Sequence, residues 1–351
     1  MNTHDIKVIA DRIVGECIHH SLFDSTVTDI VNQLFVLEPG EIIILVGPSR
    51  VGKSRAVIEA MRQFYGPLCN DEDHRPYVRI TNENAQSAGE FSTRGFMLSA
   101  CEAINHPIYG MRNDASPQLM AHIHRTPEAI FRDAFEKALV TRGIKVVVID
   151  EAHHVGYAKG GIKTATKILD SWKCLAAKTN TVLVLCGAYE LLNLCSNTPH
   201  LVGRQRPIEF PRYKSSSRDD IYAFESVLEA FSRHVPFENK STTLRTWNRL
   251  LFEGSLGCTG HLSLWLRTAV ARMAGRGQTY LSESILQKYA FKAIEYKKLW
   301  EEIDRGEQLM ADLLNGVATK STSDAAKHTA QQRKSKPFVA KTSRRPRGGR
   351  V

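Results

Sequence analysis

Gly47-Pro48-Ser49-Arg50-Val51-Gly52-Lys53-Ser54 fits the spacing G-x-x-x-x-G-K-[ST] without a gap. The chemistry that needs this spacing is the holding of a phosphate chain. Glycines let backbone N–H groups point inward, and a helix starting at the end of the loop adds positive potential. The lysine reaches the β- and γ-phosphates, and the hydroxyl after it supplies a ligand for Mg²⁺. The expected nucleotide-binding set is therefore Gly47, Pro48, Ser49, Arg50, Val51, Gly52, Lys53, Ser54 and Arg55. Farther along, the apolar run Val146-Val-Val-Ile149 ends in Asp150-Glu151. An acid at the end of a buried strand beside such a loop joins Ser54 in holding Mg²⁺, which is the role expected of Asp150. Glu151 is then placed to polarise a water for attack on the γ-phosphate. An Asp-Glu pair argues for hydrolysis rather than phosphate transfer to a small molecule. Arg204 and Arg206 lie in Val202-Gly-Arg-Gln-Arg-Pro207. An arginine here can reach a γ-phosphate held by a neighbouring subunit; Arg204 is the first choice and Arg206 the other, against a plain solvated pair. The catalytic groups are thus Lys53, Glu151 and one of these arginines. His153 and His154 follow the acids, but zinc would need more ligands at suitable spacing, so packing around the site is expected of them.

The elements that must position these groups can be read from the apolar pattern. Amphipathic stretches over 5–17 and 26–36 open the chain, with Asp24 or Ser25 as a cap for the second. Pro39-Gly40 breaks the pattern, and continuous apolar runs follow at 41–46, 77–81, 145–149, 181–186 and 207–210. Runs without alternation read as strands buried on both faces, and helices over 52–65, 91–104, 127–141 and 162–178 separate them. This is the pattern of a parallel sheet covered by helices. After Pro211 the strand signals stop. Segments 217–234, 241–253, 259–275 and 282–300 all read as helical, with starts at Ser217 and Ser282. Trp247, Trp265 and Trp300 fall within these helices and are expected in the core. The expected division is an N-terminal helical segment over 1–37, an α/β nucleotide-binding domain over 38–213, an all-α domain over 214–314 and a disordered tail over 315–351.

Composition narrows the classes. The chain has 351 residues and a formal net charge of +10. From Thr319 to Val351 there are ten basic residues and one acid, so +9 of that charge lies in the tail and +1 in residues 1–318. A body that is basic all over, as in a histone, is excluded. The tail lacks leucine and isoleucine and cannot bury enough apolar area to offset its ordering entropy. No apolar run approaches the ~20 residues needed to span a bilayer, and no basic-then-apolar leader opens the chain. Seven cysteines form no CxxC pair, which argues against a zinc ribbon or a disulfide framework and for a reduced, cytoplasmic setting.

With the loop, the acidic strand end and the helical domain in place, the chain resembles the AAA+ ATPases, and within them the TniB/TnsC group of transposition regulators. Ile149-Asp-Glu-Ala-His-His-Val155 is similar to that group's continuation of the acidic motif, and Val182–Glu190 to its fourth strand. Leu201-Val-Gly-Arg204 with Pro207-Ile-Glu-Phe-Pro211 resembles the segment holding its arginine. Gly257-Cys-Thr-Gly260-His-Leu-Ser resembles the start of its lid. The resemblance covers roughly residues 15–300 and implies an AAA+ sheet followed by an all-α lid. There are departures: Cys186, Ala188 and Tyr189 are the candidates where the group has a polar sensor, and His261 or Arg267 falls where the lid arginine is expected. The resemblance implies use of ATP and Mg²⁺, and subunits that assemble as a ring or filament on duplex DNA. The assembly would recruit a transposase, respond to a target selector and come apart on hydrolysis. It also implies a protein of the bacterial cytoplasm that joins the nucleoid when active. DNA contacts would be to phosphate and insensitive to sequence, with Arg94, Arg112, Lys159 and Lys163 as candidates. The alternative is a replication initiator or helicase loader of the same superfamily; the residues after Trp300 are too few for the winged helix such proteins commonly carry. A small-molecule kinase and a non-hydrolysing scaffold fit less of the pattern.

Overall fold

Strand residues with no polar partner face must be covered on both sides, and the chain meets this with five short parallel strands. They are β1 (Ile42–Val46), β2 (Tyr77–Thr81), β3 (Val146–Asp150), β4 (Val182–Gly187) and β5 (Gln205–Glu209). The computed structural model describes residues 8–9, 12–13, 18–70, 75–82, 89–110, 116–196, 203–239, 241–275 and 277–314. The sheet order is β2-β3-β4-β1-β5. Ile42 pairs with Leu183 on one side and Gln205 on the other, so β1 is central. Every residue of β1, β3 and β4 is buried. Alternate residues, Ile43, Leu45, Val146, Val148, Val182 and Val184, join one core with α1 (Ser21–Val36) and α2 (Lys53–Tyr65). The intervening Ile42, Ile44, Val147, Ile149, Leu183 and Leu185 are buried as well. At about 1.5–3 kcal/mol for each buried aliphatic side chain, these strands are a major source of the fold's stability.

The rest of the α/β part comprises α3 (Thr93–Ala103), α4 (Pro117–Arg125), α5 (Glu128–Thr141), α6 (Ile162–Thr179) and α7 (Glu190–Ser196). The sequence pattern missed α4 and α7, which are short and weakly patterned. Asp24 and Ser25 do not cap α1. That helix begins at Ser21, and the His20 ring nitrogen accepts from the Phe23 amide at its start. The expected helix over 5–17 lies largely outside the described residues, as does the tail over 315–351.

The helical part that follows has its own core. It consists of α8 (Arg218–Ser232), α9 (Asn248–Gly254), α10 (Thr259–Ala274), α11 (Glu283–Lys288) and α12 (Ala293–Leu314). Ser217 caps α8 by accepting from the Asp220 amide, as its position predicts. Two expected helices are divided. Segment 241–253 is a 3-10 turn at Leu244–Trp247 followed by α9, and segment 282–300 breaks between α11 and α12. Phe224, Leu228, Leu251, Leu262, Trp265, Leu266 and Val270 form the second core, and Ile13 joins it. Trp265 is buried and donates its indole N–H to the Leu286 carbonyl at 2.9 Å. Trp300 is not core: it is 41% exposed, with the Arg212 guanidinium 5.0 Å above its ring. Met1–Met310 is one compact unit, and Ala311–Val351 is a second.

Trp265→Ala removes a large buried ring and its hydrogen bond to the Leu286 carbonyl. It is expected to cost about 3–5 kcal/mol, read as a lower midpoint in denaturant titration.

Candidate nucleotide-binding site

The phosphate loop connects the buried end of β1 to the first turn of α2. Its shape is imposed by close approaches. A Cβ on Gly47 would lie 2.3 Å from the Phe210 carbonyl oxygen, so only glycine fits there. Gly52 has φ +115°, and Arg50 is left-handed at φ +61°. The Lys53 ammonium is buried and donates to the carbonyls of Gly47 and Pro48 at 3.0 and 2.8 Å. It is held within the loop, with those two carbonyls as the partners a phosphate would replace.

The acidic pair stands two strands away. With β4 between β1 and β3, the two strand ends are about 10 Å apart, a gap that a phosphate chain and its metal ion span. Asp150 accepts from the Glu151 amide at 3.0 Å, and the Arg79 guanidinium is 3.8 Å away. Glu151 turns out of the strand at φ +52°, leaving its carboxylate 47% exposed. Asn82 is buried at the end of β2, and its side-chain amide lies 3.4 Å from the Glu151 carbonyl. Between the strands, Cys186 adjoins Asp150, and burial pushes its thiol well above the ordinary range. Of the three residues at the sensor position, Cys186 is therefore the one beside the acids. Ala188 donates its amide to His153, and the Tyr189 hydroxyl is taken by Glu209 at 2.6 Å.

The histidines pack around the site as expected, yet with Glu151 they make a closer cluster than their spacing suggested. One ligand atom from each of Glu151, His153 and His154 lies within 4.8 Å of the others, so the three could hold a metal ion. The sequence reading counted only the two histidines. His154 Nδ1 lies 2.8 Å from the Asn82 carbonyl. His153 Nδ1 is 3.4 Å from Glu151, and burial lowers its pKa to about 4, so its ring is neutral at pH 7.

A cavity of about 680 Å³ adjoins these groups. Ser49 to Arg55, Glu151 and His153 line it, together with Ile13, Ile18, His20, Phe23, Val227, Phe231 and Leu264. Burial lowers the His20 pKa to about 4, so its ring is neutral there. Polar groups for phosphates and apolar side chains for a base and sugar fit a nucleotide, and the donor set of Ser54 and Asp150 suits Mg²⁺. The start of α10 closes the loop from above: Thr259 donates to the Val51 carbonyl at 3.3 Å, and Gly260 lies against Arg50. Arg267 lines the cavity, while His261 is buried, so of the two lid candidates only Arg267 faces the site.

The other candidates are dispersed. Arg204 and Arg206 sit at the opposite end of the sheet, where β5 begins beside Ile42. A strand of five residues, about 17 Å, separates them from their own phosphate loop. Arg204 is exposed, and Arg206 is 3.5 Å from Glu41. Arg94 is engaged by its own chain. Its guanidinium donates to the carbonyls of Ile123, His124 and Thr126 and lies 5.2 Å from the Phe131 ring, tying down the end of α4. Lys159 and Lys163 are exposed at the start of α6. Arg112 lies outside the described residues. Glu302, Gly260 and the apolar lining escaped the sequence reading as site residues. Only Gly260 carried a signal, through its Gly257-Cys-Thr-Gly pattern.

This loop, sheet order and acidic strand end define a P-loop nucleotide-binding domain of AAA+ fold. The AAA domain family profile matches residues 37–195, a span that holds the phosphate loop, Asp150 and Glu151. The Aeropyrum pernix ORC1 protein in complex with DNA is similar with a TM-score of 0.54 and 13% identity, covering 78% of this chain and 65% of that one. The Aeropyrum pernix ORC2 protein in ADPNP-ADP complexes is similar with a TM-score of 0.50 and 13% identity, covering 76% and 66%. The chain thus spans just under two thirds of the length of those relatives, and the likeness is one of fold. No curated protein matches the sequence at a significant level. No helix among the described residues is long and apolar enough to cross a membrane.

A Cβ on Gly260 would lie 1.7 Å from the Arg50 carbonyl oxygen. Gly260→Ala must therefore push α10 off the loop. Overpacking of this kind costs about 1–3 kcal/mol, and the loss is expected in affinity for a non-hydrolysable ATP analogue, measured by calorimetry, with the circular dichroism spectrum retained.

Proposed function

We propose that the protein is a DNA-dependent ATPase that regulates transposition, assembling on duplex target DNA and recruiting a transposase while hydrolysis limits the life of the assembly. The observation that carries the ATPase part is the convergence of Lys53, Ser54 and Glu151 on one cavity that apolar side chains also line, with Asp150 at the buried strand end just before Glu151. The transposition part is supported by where the resembling stretches fall. Ile149–Val155 forms the acidic corner, Val182–Glu190 the strand between it and the loop, and Gly257–Ser263 the lid start that sits on Arg50. The likeness to archaeal ORC proteins is compatible with both this reading and the initiator or loader reading, because it is one of fold.

The chemistry assigned to each group follows from its place. Lys53 exchanges the Gly47 and Pro48 carbonyls for phosphate oxygens. Mg²⁺, held by Ser54 and Asp150, supplies charge neutralisation at the β- and γ-phosphates. Glu151, turned out of β3 and half-exposed, accepts the proton of the attacking water. Arg204 lies too far from its own loop to serve it. Its exposed position at the sheet's far end fits a role at the phosphates of the next subunit, with Arg206 as the other candidate. Lys159 and Lys163, repeated around an oligomer, would line a path for duplex DNA through phosphate contacts. A target selector and a transposase would engage the assembled form.

Glu151→Gln is expected to bind ATP and duplex DNA normally while turnover falls by at least about 100-fold. Its assemblies on DNA should outlast those of the wild type under the electron microscope. Normal turnover would remove Glu151 from the role of base. In the same assays Lys53→Ala is expected to bind no ATP analogue, because it deletes the charge that meets the β- and γ-phosphates. Undiminished affinity would sink the assignment of the loop.

A further inference from the structure

Helix α12 brings a carboxylate onto the phosphate loop. Glu302 accepts from the Ser49 hydroxyl at 2.6 Å and from the Ser49 amide at 3.2 Å. Ser49 is the third residue of the loop, next to the two carbonyls that hold the Lys53 ammonium. The carboxylate thus stands at the end of the site where Lys53 would meet the β- and γ-phosphates, far in sequence from every motif residue.

This placement does not depend on the two hydrogen bonds alone. Glu307, little more than a turn along, is bonded to Arg212 at 2.9 and 3.4 Å. Gly306 is pressed on the Tyr189 ring so closely that a Cβ would lie 2.0 Å from it. Ile303 is buried against Leu256 and Cys258. The helix is docked by neighbours of Glu302, and the carboxylate is delivered to Ser49 as a consequence. Its charge acts across the site, raising the proton affinity of both His153 and His261 against the larger effect of burial.

We propose that Glu302 is a specificity-determining residue of this site, setting the preference between triphosphate and diphosphate. Its negative charge takes up the hydrogen-bonding groups of Ser49 and repels a γ-phosphate, which must displace it. A diphosphate, one charged group shorter, leaves it in place. Entry of a triphosphate therefore removes one of the bonds that hold α12, and the state of the nucleotide is passed to that helix. The inference rests on the ATPase reading of the same loop.

The test compares affinities for a non-hydrolysable ATP analogue and for ADP in the full chain. Glu302→Gln keeps an acceptor for Ser49 and removes the charge. It is expected to raise affinity for the analogue by about tenfold, the scale of one lost like-charge contact, with much less effect on ADP. Glu302→Ala should shift the ratio the same way. Hydrogen exchange over residues 293–310 of the wild type should be faster with the analogue than with ADP, and Glu302→Ala should erase that difference. An unchanged ratio in both variants, or a fall in analogue affinity for Glu302→Gln, would overturn the proposal and leave Glu302 as a cap on the loop. A wild type that binds neither nucleotide would instead remove the ATPase reading, and this proposal with it.

Discussion

A row of backbone N–H groups can face an anion only if the chain bends sharply and is kept bent, and the structure is arranged around that constraint. The bend lies between β1, every residue of which is buried, and α2, which buries Ala56, Val57, Ala60 and Met61. It is held from two sides by backbone contacts that leave no room for a side chain. Phe210, which follows β5, presses on Gly47, and Gly260, which opens α10, presses on Arg50. A loop clamped in this way loses little further freedom when phosphate arrives, so more of the interaction energy is available for binding.

The electrostatics follow from the same geometry. The start of α2 and the Lys53 ammonium make the loop positive, and Asp150 and Glu151 bring negative charge to the end of β3, two strands away. β4 lies between the two, a spacing that leaves room for a metal ion and a phosphate chain and keeps the charges from pairing with each other. Three groups beside this gap, on β4 and on the turns after β4 and β3, are uncharged. Cys186 is a protonated thiol, Ala188 offers an amide, and His153 is neutral. Low polarity here strengthens whatever charged interaction the nucleotide makes.

Much of the fold was legible because continuous apolar runs have few alternatives to buried parallel strands. All five strands lie where the runs placed them, to within about two residues. What escaped was short or interrupted. The helices Pro117–Arg125 and Glu190–Ser196 carry too few turns to show a period. The breaks before Asn248 and after Lys288 fall where no proline or glycine marks them. Trp300 was misplaced because an aromatic ring on an amphipathic helix reads as core, whereas here Arg212 covers a ring that remains partly in water. The carbonyls that hold the Arg94 guanidinium were not legible either, because a basic residue type does not disclose its partners.

The sequence by itself determined the phosphate loop and the acidic pair, because their chemistry depends on residue types at short spacings. It also determined the sheet, because burial on both faces leaves a mark at every strand position. Only the tertiary structure decided which distant groups share the site. Glu302 meets Ser49, Gly260 meets Arg50, and Ile13 and Ile18 line the same cavity as Val227 and Leu264. These meetings depend on where helices dock, and docking is settled by the shapes of many side chains at once. No single stretch of sequence records it.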